Sequence, residues 1–230
     1  MTDTRTPHEK NLDRTLYGDG FFPPVRVTVL GIQGSGKTYL VKNAILEMEP
    51  ERHLVFDPND EYSGFTRYVP RFSGDKDALR REFALVSKKM IRPHLRTIEE
   101  VDAGKNLRKE EKRLKLLVID EADLIAPARA PLSSALADLY VKSRHYRLTI
   151  VALSRRLTDL STYILDVSDN IIIFKTVGYN ALRTARAIRT GLEDEIKALS
   201  FEKHEFIFLN RERESKKFTL ETFDVGLIGT

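Results

Sequence analysis

The chain has no cysteine among its 230 residues, which excludes disulfide cross-links and any metal site built on thiolates. Nowhere does it hold the run of about eighteen apolar residues that a membrane-crossing helix needs. Its opening residues, "MTDTRTPHEKNLDRT", lack the apolar centre of a secretory signal. The expectation is a protein that is neither secreted nor stably inserted in a membrane. No internal repeat or low-complexity tract interrupts it. With 41% hydrophobic residues, it is long enough for one sizeable core.

Charge of one sign is also scarce, with a formal net charge of only +4. The surplus is local, since ten Lys or Arg stand against five acids between Val86 and Lys115. Such a segment suits a polyanionic partner. The alternative is a solvated helix face laced with Glu–Lys pairs.

Residues 1–22 are polar and aperiodic and read as an arm. Residues 23–230 read as a single domain in which strand-like runs alternate with helical patterns. The strand candidates are 25–30, 53–57, 114–120, 148–153 and 170–175. After the first, Leu40, Val41, Ala44, Ile45 and Met48 recur on one helical face. After the third, Pro131 suits a first helical position, followed by Leu132, Leu136, Leu139 and Tyr140. Near-continuous apolar strands separated by helices predict an α/β fold with a mainly parallel sheet covered on both faces. At the end, "EFIFLN" and "FTLETFD" flank the charged "RERESKK" and predict an antiparallel hairpin at a sheet edge. Residues 75–113 read as a basic, helix-prone insertion.

Between the first strand and the first helix stands "GIQGSGKT", a complete G-x-x-x-x-G-K-[ST] motif. Gly31, Gly34 and Gly36, with Gln33 and Ser35, would let backbone N–H groups turn inward around an anion. The helix start adds unsatisfied donors and a positive dipole end. Lys37 should reach the β- and γ-phosphates, and the Thr38 hydroxyl should ligate Mg²⁺. The later "KLLVIDEAD" ends an apolar strand in Asp120-Glu121, a Walker B pattern. There Asp120 would hold Mg²⁺ through water, and Glu121 would polarise the water that attacks the γ-phosphate. A GTPase would be expected to carry an Asn-Lys-x-Asp guanine reader, and the chain has none. Nor does any acceptor pocket of a kinase show in the sequence. The residues point to ATP hydrolysis with Mg²⁺.

Two further stretches carry a family likeness. "VFDPNDEYSG" (55–64) ends a strand in Asp57 and follows it with Glu61-Tyr62. It resembles the second-strand signature of the HerA–FtsK superfamily of DNA-pumping ATPases. "SRHYRLTIVALSRRLTDLSTYILDVSDNIIIFKT" (143–176) resembles that superfamily's block after Walker B. The resemblance implies a P-loop NTPase fold of the ASCE, RecA-like type, with sheet order 5-1-4-3-2 and helices on both faces. It also implies that Arg144 contacts a neighbouring subunit's nucleotide, and that Ser154 and Arg155 occupy the γ-phosphate sensor turn. Ser154 stands where relatives carry Gln, and Arg156 where they carry Pro. Asp57 and Glu61 follow as accessory residues. All these motifs fall at the carboxyl ends of predicted parallel strands, the edge where ligands sit in open α/β sheets.

A finger given in trans implies a homo-oligomeric ring, a hexamer by resemblance. A basic lining would hold double-stranded DNA through its phosphates. Lys105, Arg108, Lys109, Lys112 and Arg113 are candidates for that lining, as are Arg183, Arg186 and Arg189, with solvated helix faces the alternative for both sets. The compact plan resembles the genome-packaging ATPases of tailless double-stranded DNA viruses with an internal membrane. That implies a viral packaging motor in the host cytoplasm or at a packaging vertex, with capsid partners. A HerA-like cellular or plasmid translocase remains open, as does an ATP-dependent protein loader or assembly factor of the helicase-loader or zonula-occludens-toxin kind.

Overall fold

The computed structural model describes residues 24–46, 48–71, 74–94 and 113–223. Eight strands form one sheet: β1 Arg26–Leu30, β2 His53–Phe56, β3 Arg67–Tyr68, β4 Leu116–Ile119, β5 Thr149–Ser154, β6 Asn170–Phe174, β7 Phe206–Leu209 and β8 Ser215–Phe218. Their order across the sheet is β3-β2-β4-β5-β1-β6-β7-β8. The five central strands thus take the expected order 5-1-4-3-2, all parallel, with β5 paired to β1 on one side and β4 on the other. A two-residue strand, β3, extends one edge in parallel with β2. The antiparallel pair β7–β8 closes the other.

Strand alternation sorts the apolar residues into two cores. Val27, Val29, Val118, Val151 and Leu153 face one side, where helix α1 (Lys37–Ile45) buries Leu40, Val41 and Ile45. Leu117, Ile119, Ile150, Ala152, Ile171 and Ile173 face the other. That side is covered by α2 (Lys76–Val86), α3 (Ala122–Ile125), α4 (Ser134–Lys142), α5 (Thr162–Val167), α6 (Tyr179–Ile188) and α7 (Leu192–Lys197). Burial on both faces explains why these strands read as continuous apolar runs.

Several boundaries differ from expectation. Helix α4 starts at Ser134 rather than at Pro131, because the Ser133 hydroxyl accepts from the Leu136 amide and caps it there. The second hairpin strand is Ser215–Phe218, so the last three residues of the charged "RERESKK" are strand rather than turn. Lys216 and Lys217 alternate along the sheet's outermost strand, where exposed lysines blunt edge pairing. The basic segment 75–113 is not peripheral at its start. Helix α2 and its continuation as a π-turn (Ser87–Ile91) bury Leu79, Phe83, Val86 and Ile91 in the core. Residues 95–112 lie outside the described residues.

The hairpin is fastened by aromatic packing. Phe206 is fully buried and lies 4.8 Å from Phe174, 5.0 Å from Phe223 and 6.1 Å from Phe218, measured between ring centroids. Phe206→Ala is expected to cost about 3–5 kcal/mol of stability. The check is a lowered urea midpoint at unchanged slope.

Candidate active site

Gly31–Thr38 forms the loop between β1 and α1. Its geometry requires glycine at two points. At Gly31 a Cβ would sit 2.6 Å from Phe174 Cβ and 2.7 Å from Ser35 Oγ. At Gly36, which starts α1 with φ at 105°, a Cβ would meet Leu220 at 2.8 Å. No side chain caps α1, so its first amides have no side-chain acceptor and face the loop. Ser35 Oγ is buried without a protein partner. Lys37 Nζ lies inside the loop and donates to the carbonyls of Gly31 (2.5 Å) and Ile32 (3.0 Å). Gln33 and Gly34 are exposed at the loop's tip.

Across β5, the end of β4 delivers Asp120 and Glu121. Asp120 is buried, and its carboxylate accepts from the Glu121 amide at 3.0 Å. Burial, reinforced by Glu121, pushes its pKa up to about 7. Glu121 adopts a left-handed backbone, with φ at 47°, as α3 begins. Such backbone is strained for a non-glycine residue and concentrates at functional positions. Burial raises the Glu121 pKa and Arg155 opposes it. The Lys37 ammonium is pushed down by burial, with Glu121 and Asp120 pulling the other way.

Glu121 is held from two sides. Arg155 Nε donates to its Oε1 at 2.6 Å, and Asn59 Nδ2 donates to the same oxygen at 3.3 Å. The turn after β5 sends Ser154 and Arg155, the two residues expected at a γ-phosphate sensor, to different partners. The buried Ser154 hydroxyl bonds Asp123 Oδ1 at 2.8 Å and the Arg156 carbonyl at 3.2 Å. It shapes the turn, while Arg155 reaches the Glu121 carboxylate.

Asp57, at the end of β2, is fully buried. Its two oxygens accept from the amides of Glu61 and Tyr62, both at 2.9 Å. That turn carries Glu61 to within 3.2 Å of the Thr38 hydroxyl. Asp57 is therefore a framework residue and Glu61 a neighbour of the expected metal ligand. Thr38, Asp120 and Glu61 offer the hard oxygens that Mg²⁺ prefers. No group of three or more His, Cys, Asp or Glu among the described residues could hold a metal alone. The donors, the glycine cradle and the orphaned Ser35 hydroxyl together fit a Mg²⁺–nucleoside triphosphate.

The other expected residues lie elsewhere. Arg144 precedes β5 at the opposite, amino edge of the sheet and donates to Asp169 at 2.9 Å. Asp169 also accepts from Arg26, through Nε at 3.0 Å. Arg113 was expected to line a DNA path, but it is buried and bonds the carbonyls of Tyr146 and Arg147. A guanidinium so enclosed is not presented to an external phosphate. Arg189 pairs with Glu195 at 2.5 Å and Arg186 with Glu193 at 3.5 Å, while Arg183 is exposed. Lys105, Arg108, Lys109 and Lys112 lie outside the described residues. Two contacts carried no sequence signal. Asn59 meets Glu121 only because β2 lies beside β4, and His204 Nδ1 lies 3.1 Å from the Ser35 carbonyl across 169 positions.

Solved structures share this fold. The genome packaging NTPase B204 of Sulfolobus turreted icosahedral virus 2, in complex with AMPPCP, aligns with TM-score 0.62 at 20% identity, covering 86% of this chain and 98% of that one. B204 of Sulfolobus turreted icosahedral virus, a DNA-packaging ATPase, aligns with TM-score 0.63 at 18% identity over the same shares. The cytoplasmic domain of the Thermomonospora curvata type VII secretion ATPase EccC aligns with TM-score 0.57 at 16% identity, over 84% of this chain and 25% of that one. No protein-family model and no curated protein sequence matches the chain. The P-loop NTPase fold that the HerA–FtsK resemblance implied is the fold observed.

Asp120 binds its proton more tightly in the folded protein than in the unfolded chain. The nucleotide-free protein should therefore lose stability as pH rises from 3.8 to about 7. Asp120→Asn should flatten this slope and be more stable than the parent above the window, by on the order of a few kcal/mol. Urea midpoints measured at both ends of the window provide the check.

Proposed function

We propose that the chain is a Mg²⁺-dependent ATPase that moves double-stranded DNA, and that its task is packaging a viral genome. The observation that carries the hydrolysis is the convergence of Lys37, Thr38, Asp120, Glu121 and Arg155 at one sheet edge. The load is read from the likeness to two B204 packaging ATPases along nearly their whole length.

In this reading the loop amides and Lys37 bind the phosphate chain, with Lys37 exchanging its two carbonyl partners for phosphate oxygens. Thr38, and Asp120 through water, would hold Mg²⁺. That ion supplies charge neutralisation on the β- and γ-phosphates when bound. Glu121 accepts the proton of the attacking water at its carboxylate oxygen. In the nucleotide-free chain that oxygen is bonded to Arg155. An arriving γ-phosphate competes for the same guanidinium, drawing Arg155 onto the developing charge and releasing Glu121 to take the proton. The departure from Gln to Ser at position 154 is thereby answered by its neighbour.

Arg144 stands on the far edge from its own loop, so any nucleotide phosphate it meets belongs to another subunit. That supports a ring of copies, a hexamer by resemblance, with capsid proteins as the further partners of a packaging vertex. Arg183 and Arg186 remain candidates for DNA contact, together with the lysines and arginine of 105–112. The EccC likeness favours a second reading, a motor that moves protein rather than DNA.

Lys37→Ala should lose ATP affinity. Glu121→Gln should bind ATP while turning over at least about 100-fold more slowly, the usual range for a lost general base. Equilibrium binding beside steady-state phosphate release separates the two. Duplex DNA should stimulate turnover at low salt and lose its effect steeply as salt rises. Turnover indifferent to duplex at low salt would leave the protein-moving reading. Arg144→Ala should bind ATP normally yet hydrolyse poorly, and recover part of its activity when mixed with Glu121→Gln subunits. Mixtures that stay inactive would remove Arg144 from the trans role.

A further inference from the structure

Strand order fixes the direction in which a nucleotide must lie. Along the carboxyl edge, Asp120-Glu121 and Arg155 stand on the β4–β5 side of the phosphate loop, while β6, β7 and β8 stand on the other. The reacting end of a triphosphate has to face Glu121. Its ribose and base therefore lead away over the turn that precedes β7 and the segment that follows β8.

Those two segments meet the loop closely. Phe201 reaches Gly34, where a Cβ would sit 3.5 Å from its ring edge. The His204 ring lies 6.4 Å from the Phe201 ring, between centroids, and bonds the Ser35 carbonyl at 3.1 Å. Since a carbonyl only accepts, His204 Nδ1 carries the proton, and the bond orients the ring on the loop. Leu220 lies against Gly36. The turn is held in shape by the His204 amide, which donates to the Phe201 carbonyl at 3.0 Å, although His204 itself has a left-handed backbone with φ at 47°.

The exposure of Phe201 is the telling feature. Phe56, Phe83, Phe174 and Phe206 are fully buried, whereas Phe201 stays 40% exposed. It therefore contributes little to the core, yet it is pinned beside a phosphate loop on the side the base must take. An aromatic face with an adjoining apolar side chain is the chemistry that holds a flat heterocycle by stacking.

We propose that Phe201, with His204 and Leu220 beside it, is the platform on which the purine base of the bound nucleoside triphosphate stacks. The inference rests on the reading of Gly31–Thr38 as a triphosphate site. It gives the chain's final hairpin, which bears no catalytic group, a direct part in substrate binding.

Binding of Mg²⁺–ATP and of Mg²⁺–tripolyphosphate to the full chain tests it, using the parent, Phe201→Ala and Phe201→Trp. Phe201→Ala should weaken ATP binding about tenfold, within the range of one lost aromatic–base stack, and leave tripolyphosphate unchanged. Phe201→Trp should keep or improve ATP affinity. Unchanged ATP affinity in Phe201→Ala overturns the platform. So does an equal loss for both ligands, which would make Phe201 a support for the loop instead. Failure of the parent to bind either ligand overturns the phosphate site itself, and the platform with it.

Discussion

The insertion of β5 between β1 and β4 is the constraint on which the site depends. Parallel pairing on both sides aligns the carboxyl ends of three strands, and the Gly31 amide donates to the Ser154 carbonyl at 3.3 Å where β1 and β5 part. The phosphate loop and the Asp120-Glu121 pair therefore stand one strand apart, with the Ser154-Arg155 turn between them. From that central turn Arg155 spans to Glu121. Were β4 to lie directly beside β1, the turn would be at the flank and this contact would not form. The register depends in turn on side chains of fixed alternation. A one-residue slip of β5 would send Val151 and Leu153 into the opposite core.

The same closeness makes the site electrostatically costly when nucleotide-free. Asp57, Glu61, Asp120, Glu121 and Asp123 gather at one edge, against Lys37 and Arg155. Asp57 is tolerated because it accepts two amides and lies 3.8 Å from Arg67. Ser154 donates to Asp123. Among the described residues Asp120 has only the neighbouring Glu121 amide, and burial raises its pKa. Folding stability is given up at that carboxylate.

Much of this was legible in the sequence wherever spacing carries the signal. The loop needs its glycines, Lys37 and Thr38 at fixed intervals, and Asp120-Glu121 follows directly on an apolar strand. The order of the central strands followed from the family likeness, not from periodicity. What stayed hidden depends on contacts between distant segments. Asn59 reaches Glu121, and His204 reaches Ser35, only after the sheet has formed. Arg113 read as part of a basic run because composition cannot distinguish a solvated guanidinium from one bonded to two carbonyls. The start of α4 was misread because a proline suits a first turn in general, whereas the Ser133 cap decides the matter locally. The last three residues of the charged stretch before Phe218 are strand because an edge strand needs apolar residues on one face only.

The two edges of the sheet carry different sets of charged side chains. The carboxyl edge is rich in acids around a site for phosphates. At the amino edge, Arg26 and Arg144 share Asp169 at hydrogen-bond distance, and Arg211 stands 3.9 Å away. Burial pushes the Asp169 carboxyl up, but the bonds from Arg26 and Arg144 outweigh it and hold its pKa below the usual value. Three guanidiniums thus stand around one carboxylate here. This edge borders a cleft of about 480 Å³ whose charged lining is Arg144, Asp169, Arg211 and Glu212. Arg26 is largely enclosed, whereas Arg144 and Arg211 are each about half exposed or more. The carboxylate thus acts as a bracket. It fixes the largely enclosed Arg26 and holds Arg144 while leaving it about half exposed.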